Sequence, residues 1–253
     1  MKAALLLCDH VKPQYLAKFG DYPAMFARLF PQFEWTVFEV CDGHFPENLD
    51  EHDVYFASGS HRSVYEKEDW IVRLLGVIRD IYQQKKYFVG VCFGHQLIGE
   101  ALGGKVIKSP NGWCVGVHEF EIQKQEEWMQ PFQKNVRLLM MCQDQVVKLP
   151  ENSTVLAGHE KCPVGIFRVG ETMLGIQAHP EFSKKYDQLL MENRTHIMGE
   201  SVVKNGVESL EKDIDVEVVR EWVMRFIGFF LKKTKYIRKQ KSNGSTSSSK
   251  IQK

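Results

Sequence analysis

Long apolar runs are missing from this sequence, and no stretch approaches the roughly 18 to 20 uninterrupted apolar residues that a membrane-crossing helix needs. The opening Met1-Lys2, followed by Ala3 to Cys8, is broken by Asp9 and His10 too early for a signal peptide and reads as a first buried strand. A cytoplasmic chain with no membrane partner is expected. Cysteine is sparse, six residues in 253 (Cys8, Cys41, Cys92, Cys114, Cys142, Cys162), with no CxxC pair and no zinc-ligand spacing, which excludes a disulfide scaffold and a zinc finger. The nine histidines contain no i, i+4 pair, so no metal is expected, and neither a Walker A nor a GxGxxG motif is present to hold a nucleotide cofactor. A one-sided charge is also lacking at first sight, the formal net value being +1. Residues 232–253, however, hold eight Lys or Arg and no acid, which leaves the remainder near −7. That body offers no general basic surface, and no nucleic-acid partner is expected.

What is present fits one α/β domain over 1–232 with a well-filled core, the chain being 43% hydrophobic and 26% charged. Residues 233–253 are rich in Lys, Ser and Thr, cannot bury apolar area, and read as a disordered basic tail. Short apolar runs at Ala3 to Cys8, Trp35 to Val40, Val54 to Ala57 and Tyr87 to Val91 are bounded by turn residues, as in a mostly parallel sheet with helices on both faces. Between the last two, Trp70, Ile71, Leu74, Leu75, Ile78 and Ile81 recur at helical spacing within 66–84, giving β–α–β with a right-handed crossover. A second series (Val106, then Val115 to Ile122, Val136 to Met141, Val155 to Ala157, Gly165 to Val169, Met173 to Gln177) reads as a smaller antiparallel set, with a hairpin turn at Val169-Gly170-Glu171. Two helices are expected to follow, over 184–198 and 216–232.

The most informative segment is Phe88-Val89-Gly90-Val91-Cys92-Phe93-Gly94-His95-Gln96, which passes from a β-branched run directly into a helical pattern. Glycines stand two residues before and two after the cysteine. This is the architecture of a nucleophile elbow, where the backbone is too tight for side chains at ±2 and the reactive atom sits at a helix N-terminus that favours a thiolate. A buried structural cysteine between two packing glycines is the alternative for this turn taken alone. A second segment, Ile176-Gln177-Ala178-His179-Pro180-Glu181, follows an expected strand. In an extended chain residues i and i+2 point the same way, so Glu181 can orient His179 as the third member of a triad must. Taken alone, His-Pro-Glu reads rather as a loop with a solvated acid; the two segments together reverse that and favour Cys92, His179 and Glu181 as nucleophile, base and orienting group.

Gly90-Val91-Cys92-Phe93-Gly94-His95-Gln96 and His179-Pro180-Glu181 resemble the nucleophile and His-x-Glu motifs of class I glutamine amidotransferases, and the resemblance covers about residues 1–200. It implies a flavodoxin-like sheet, a γ-glutamyl thioester on Cys92, and release of an amine or ammonia. By position it also implies an oxyanion hole from the Gly59 N–H in Ser58-Gly59-Ser60 and the Phe93 N–H, and contacts to the amino-acid end of the substrate from Gln96 and from the backbone around Gly116. One departure is Cys142, in Cys142-Gln143-Asp144-Gln145-Val146, where the family usually carries a His. Amidotransferases normally serve a synthase, and no ATP-dependent synthase segment is legible, so the chain is expected to act alone or with a separate synthase subunit. Its layout looks most like the stand-alone γ-glutamyl peptidases related to the amidotransferase domain of GMP synthetase, whose substrates are small γ-glutamyl compounds such as glutathione conjugates. A glutaminase subunit delivering ammonia, and a non-enzymatic regulatory protein on the same fold, are the alternatives.

Overall fold

The parallel half of the sheet is built from β1 (Lys2–Leu6), β2 (Glu34–Phe38), β3 (Val54–Ala57), β4 (Tyr87–Val91) and β11 (Met173–Ile176) in a computed structural model that describes residues 1–228. Strands β1, β3, β4 and β11 are apolar on both faces because helices cover both. Alternation sorts their side chains. Leu5, Phe56 and Val89 face α2 (Tyr22–Leu29) and a last helix, α8, over 216–228, which contributes Val219, Trp222 and Phe226. Leu6, Tyr55 and Phe88 face α3 (Asp69–Gln83) and α4 (Phe93–Ala101), where Ile71, Leu74, Ile78 and Ile81 are fully buried, each stabilising the layer by about 1.5–3 kcal/mol. The strand order β2-β1-β3-β4-β11 has the flavodoxin-like reversal next to β1, which leaves a crevice outside the carboxyl ends of the strands.

Beyond β11 the sheet continues antiparallel through β10 (Cys162–Val169), β9 (Ser153–His159), β6 (Cys114–Ile122) and β7 (Asn135–Cys142). Gly170 takes φ +58 at the expected hairpin turn between β10 and β11. A separate two-stranded antiparallel sheet pairs β5 (Lys105–Lys108) with β8 (Asp144–Lys148), a strand the apolar pattern did not disclose.

Helix boundaries differ from expectation for local reasons. The helix foreseen from residue 66 begins at Asp69, because Glu66 reaches back to accept from the Ser63 N–H and its own N–H donates to the Ser63 carbonyl, forming a turn. The single helix expected over 184–198 is two, α5 (Lys184–Glu192) and α6 (Thr195–Met198). At the break Asn193 Nδ2 donates to the Leu189 carbonyl and Thr195 Oγ1 to the Glu192 carbonyl, side-chain bonds that compete with helix propagation. A further helix, α7 (Glu200–Ser209), follows Gly199 and packs on β6. The short α1 (Pro13–Phe19) was also not foreseen. The expected tail 233–253 and the end of the last expected helix, 229–232, lie outside the described residues.

Candidate active site

Cys92 ends β4 and caps α4 with φ 51 and ψ −99, a conformation rare and strained for a non-glycine residue. The turn is held by the Cys92 N–H donating to the Ile176 carbonyl (2.9 Å) and by the Cys92 carbonyl accepting from the Gln96 N–H (3.0 Å). Both flanking glycines are required by close approach. A Cβ on Gly90 would run into the Gly94 carbonyl, and one on Gly94 would lie 2.6 Å from the Ala57 carbonyl oxygen. The strain and spacing expected of a nucleophile elbow are therefore present in the backbone.

His179 follows β11, its N–H donating to the Leu139 carbonyl (2.8 Å), and its Nδ1 lies 2.8 Å from Glu181 Oε1. The Phe182 ring stacks on the imidazole at 4.0 Å and 13°. On another side Gly59 leaves just enough space: a Cβ there would come 2.9 Å from His179 Cε1 and 3.7 Å from Cys92 Cβ. The ring is thus wedged between its neighbours. Burial disfavours the imidazolium, but the charge of Cys92 and then that of Glu181, each with a hydrogen bond, outweigh it and push His179 up to about 10. Such an imidazolium beside a sulfur is the charge state that makes a cysteine nucleophilic, and the carboxylate behind it fixes the tautomer.

The loop after β3 is pinned from below. Ser58 Oγ accepts from the Cys8 N–H (2.9 Å) and donates to the Gly59 carbonyl (3.1 Å), while the His61 N–H and Nδ1 both bond to Asp9 Oδ2 (2.9 and 2.8 Å). Neither the Gly59 nor the Phe93 N–H donates to a backbone carbonyl among the described residues, and Phe93, as the first residue of α4, has no intrahelical partner. Both donors remain available next to Cys92.

A cavity of about 410 Å³ opens over Cys92, lined among others by Ser60, His61, Gln96, Trp113, Asp144 and Arg194. Gln96 Nε2 donates to the Asp144 carbonyl (2.9 Å) and to Gln177 Oε1 (3.3 Å), so the amide is held in place on the wall. Cys142 also lines the wall; burial and then the Cys92 charge push its thiol well above the usual range, leaving it a neutral neighbour. Gly116 stands apart. With φ +77 it packs beneath α7 against Gly206 and Ser209 and does not line this cavity, so the substrate contact implied there finds no support in the geometry.

Three participants were not foreseen. Phe182 supports the His179 ring; its signal was only its place after the His-Pro-Glu segment. Asp144 carries its carboxylate into the cavity, accepting from Ser63 Oγ (2.5 Å) and Tyr65 Oη (3.0 Å). Asp187 of α5 is fully buried, with no side-chain donor to its oxygens, and burial pushes it up to about 7 against the counter-effect of His179. His95 is equally buried but serves packing, edge-on to Phe167 at 4.8 Å and held neutral, its value pushed down to about 3 by burial. His10, Cys41 and Asp42 lie together elsewhere, a grouping their sequence spacing could not disclose.

Fold and site together define an α/β protein with a cysteine–histidine–carboxylate constellation at the carboxyl edge of a parallel sheet. The chain belongs to the class I glutamine amidotransferase family, whose model matches residues 41–198, the segment that carries Cys92, His179 and Glu181. It is 35% identical to gamma-glutamyl peptidase 3 of Arabidopsis thaliana over 191 residues, 72% of this chain and 76% of that protein. A shorter match, 32% over 114 residues, 44% of this chain and 60% of the other, links it to one of the subunits of the glutamine-hydrolysing GMP synthase of Pyrococcus abyssi. The crystal structure of a glutamine amidotransferase from Thermotoga maritima superposes with TM-score 0.72 at 20% identity, over 89% of this chain and 97% of that one. No helix among the described residues is long and apolar enough to cross a membrane.

Proposed function

We propose that the protein is a γ-glutamyl hydrolase that cleaves small γ-glutamyl peptides or conjugates, with Cys92, His179 and Glu181 as its catalytic residues. The Cys92 sulfur attacks the γ-carbonyl carbon while the carbonyl oxygen gains negative charge facing the Gly59 and Phe93 N–H groups, each worth on the order of 3 kcal/mol to the transition state. The His179 imidazolium delivers its proton to the amine nitrogen as the C–N bond breaks, leaving a γ-glutamyl thioester. Water then yields a proton to the neutral His179 and attacks the thioester, the C–S bond breaks, and glutamate leaves with the thiolate restored. Glu181 holds Nδ1 throughout, so Nε2 alone exchanges protons. At the amino-acid end Gln96 offers a fixed amide on the wall.

The observation that carries this reading is the cavity. Its volume of about 410 Å³ over Cys92 lies within the roughly 300–1,000 Å³ typical of sites for sizeable ligands, more than glutamine with its ammonia leaving group requires. The likeness to gamma-glutamyl peptidase 3 supports the same reaction class. The test is kcat/KM for glutamine and for γ-glutamyl dipeptides on the purified protein alone. Faster turnover of the peptides is expected. Negligible peptide cleavage, with glutamine hydrolysis appearing only when a second protein is added, would instead identify a glutaminase subunit of a synthase.

A further inference from the structure

The cavity carries more positive charge than glutamine can use. Of its cations, Arg62 is paired with Glu68 (2.9 Å) and Glu66 (3.4 Å), and His61 with Asp9. The Lys108 ammonium and the Arg194 guanidinium form no hydrogen bond or ion pair among the described residues. Lys108 is the register partner of Asp144 across the β5–β8 ladder, so an acid and a base stand side by side on the wall that also holds Gln96, Ser63 and Tyr65. A side-by-side acid and base matches the α-ammonium and α-carboxylate of a γ-glutamyl group. Every charge on glutamine is then answered.

Arg194 is left over. It comes from different elements, the α5–α6 corner created by the helix break at Asn193, and stands with Ile197 one turn further on and Trp113 from the loop before β6. Its charge is felt by Asp187, buried beneath, but the two do not pair. Ile197 is 55% exposed, an apolar side chain held open to solvent beside an unpaired guanidinium. Ammonia gives such a surface nothing to bind, whereas the amine released from a γ-glutamyl peptide carries a carboxylate and a side chain.

Resting on the hydrolase reading, we propose that Arg194, with Ile197 and Trp113, forms the leaving-group subsite, and that it selects γ-glutamyl peptides with a free C-terminal carboxylate and an apolar side chain. A planar guanidinium suits a carboxylate through paired N–H donors. The probes are γ-glutamyl-leucine and its C-terminal amide, alike except for the charge. The wild type should favour the free acid in kcat/KM by about tenfold or more, the discrimination expected of one charge-assisted hydrogen bond, expressed mainly in KM. In Arg194→Gln that ratio should fall to near one, and Arg194→Lys should retain part of it. Lys108→Gln is the control: it should slow both probes alike, since the glutamyl carboxylate is common to them, and keep the ratio. A wild-type ratio within about twofold of one, or a preference that survives in Arg194→Gln, overturns the subsite while leaving the hydrolase reading intact. Turnover of neither probe by the wild type overturns both.

Discussion

The spacing between Gly59 and the His179 ring makes Gly59→Ala a sharp perturbation of the site, because it keeps the backbone N–H proposed for the oxyanion hole and changes only the room beside the proposed base. An added Cβ would lie 2.9 Å from His179 Cε1 and 3.7 Å from Cys92 Cβ. Carbon atoms in contact rest at about 3.5–4.0 Å, so the imidazole must retreat by roughly 0.6–1 Å. It cannot retreat freely, since Phe182 stacks on it at 4.0 Å and Glu181 holds Nδ1 at 2.8 Å. A misplacement near 1 Å costs about a hundredfold in rate. The assay is kcat on a γ-glutamyl dipeptide alongside thermal unfolding. A fall of about a hundredfold with an unchanged melting temperature is expected, and activity within threefold of wild type would refute the wedged-ring account of the base.

His179→Ala is expected to cost more than Glu181→Gln, since the first removes both proposed proton transfers and the second leaves an imidazole that is merely misoriented; equal small effects would deny this buried pair a catalytic role. In wild type His179 should titrate near 10 by NMR, and in Cys92→Ala distinctly lower, because the sulfur's charge is the largest influence raising it; no difference would separate the two residues. Asp187 has its folded value raised from 3.8 to about 7, so the stability it allows is fully present below pH 3.8 and is lost as pH rises through 7, at most roughly 4 kcal/mol. Asp187→Asn should therefore raise the melting temperature at pH 8 and not at pH 4, which denaturation at the two pH values would check.

The pattern of apolar runs disclosed the parallel half of the sheet because strands buried on both faces are written as continuous apolar segments, as in Val54–Ala57 and Tyr87–Val91. Strand β8 escaped notice because Asp144 and Gln145 face the cavity and the β10 side, so its apolar content is confined to Val146 and Val147. Likewise α7 has few buried positions, Val203 and Gly206, and its tight seat on Gly116 depends on glycines whose role is visible only in three dimensions. The cysteine turn was legible because so tight a strand-to-helix turn demands glycines at fixed offsets, and the His179–Glu181 pair because two residues in extended chain share a side. The second layer was not. Phe182, Asp144 and Arg194 reach the site through stacking, a cross-strand register and a helix break, none of which has a local signature.

In the proposed reaction Cys92 carries the γ-glutamyl group during turnover. The most direct measurement is the intact mass of protein quenched by acid while turning over a γ-glutamyl dipeptide, followed by peptide mapping. The account predicts a single glutamyl adduct on Cys92 that decays as substrate is exhausted and is absent in Cys92→Ala, which should itself be inactive. Turnover by Cys92→Ala within tenfold of wild type, or an adduct mapped to another of the six cysteines, would contradict it.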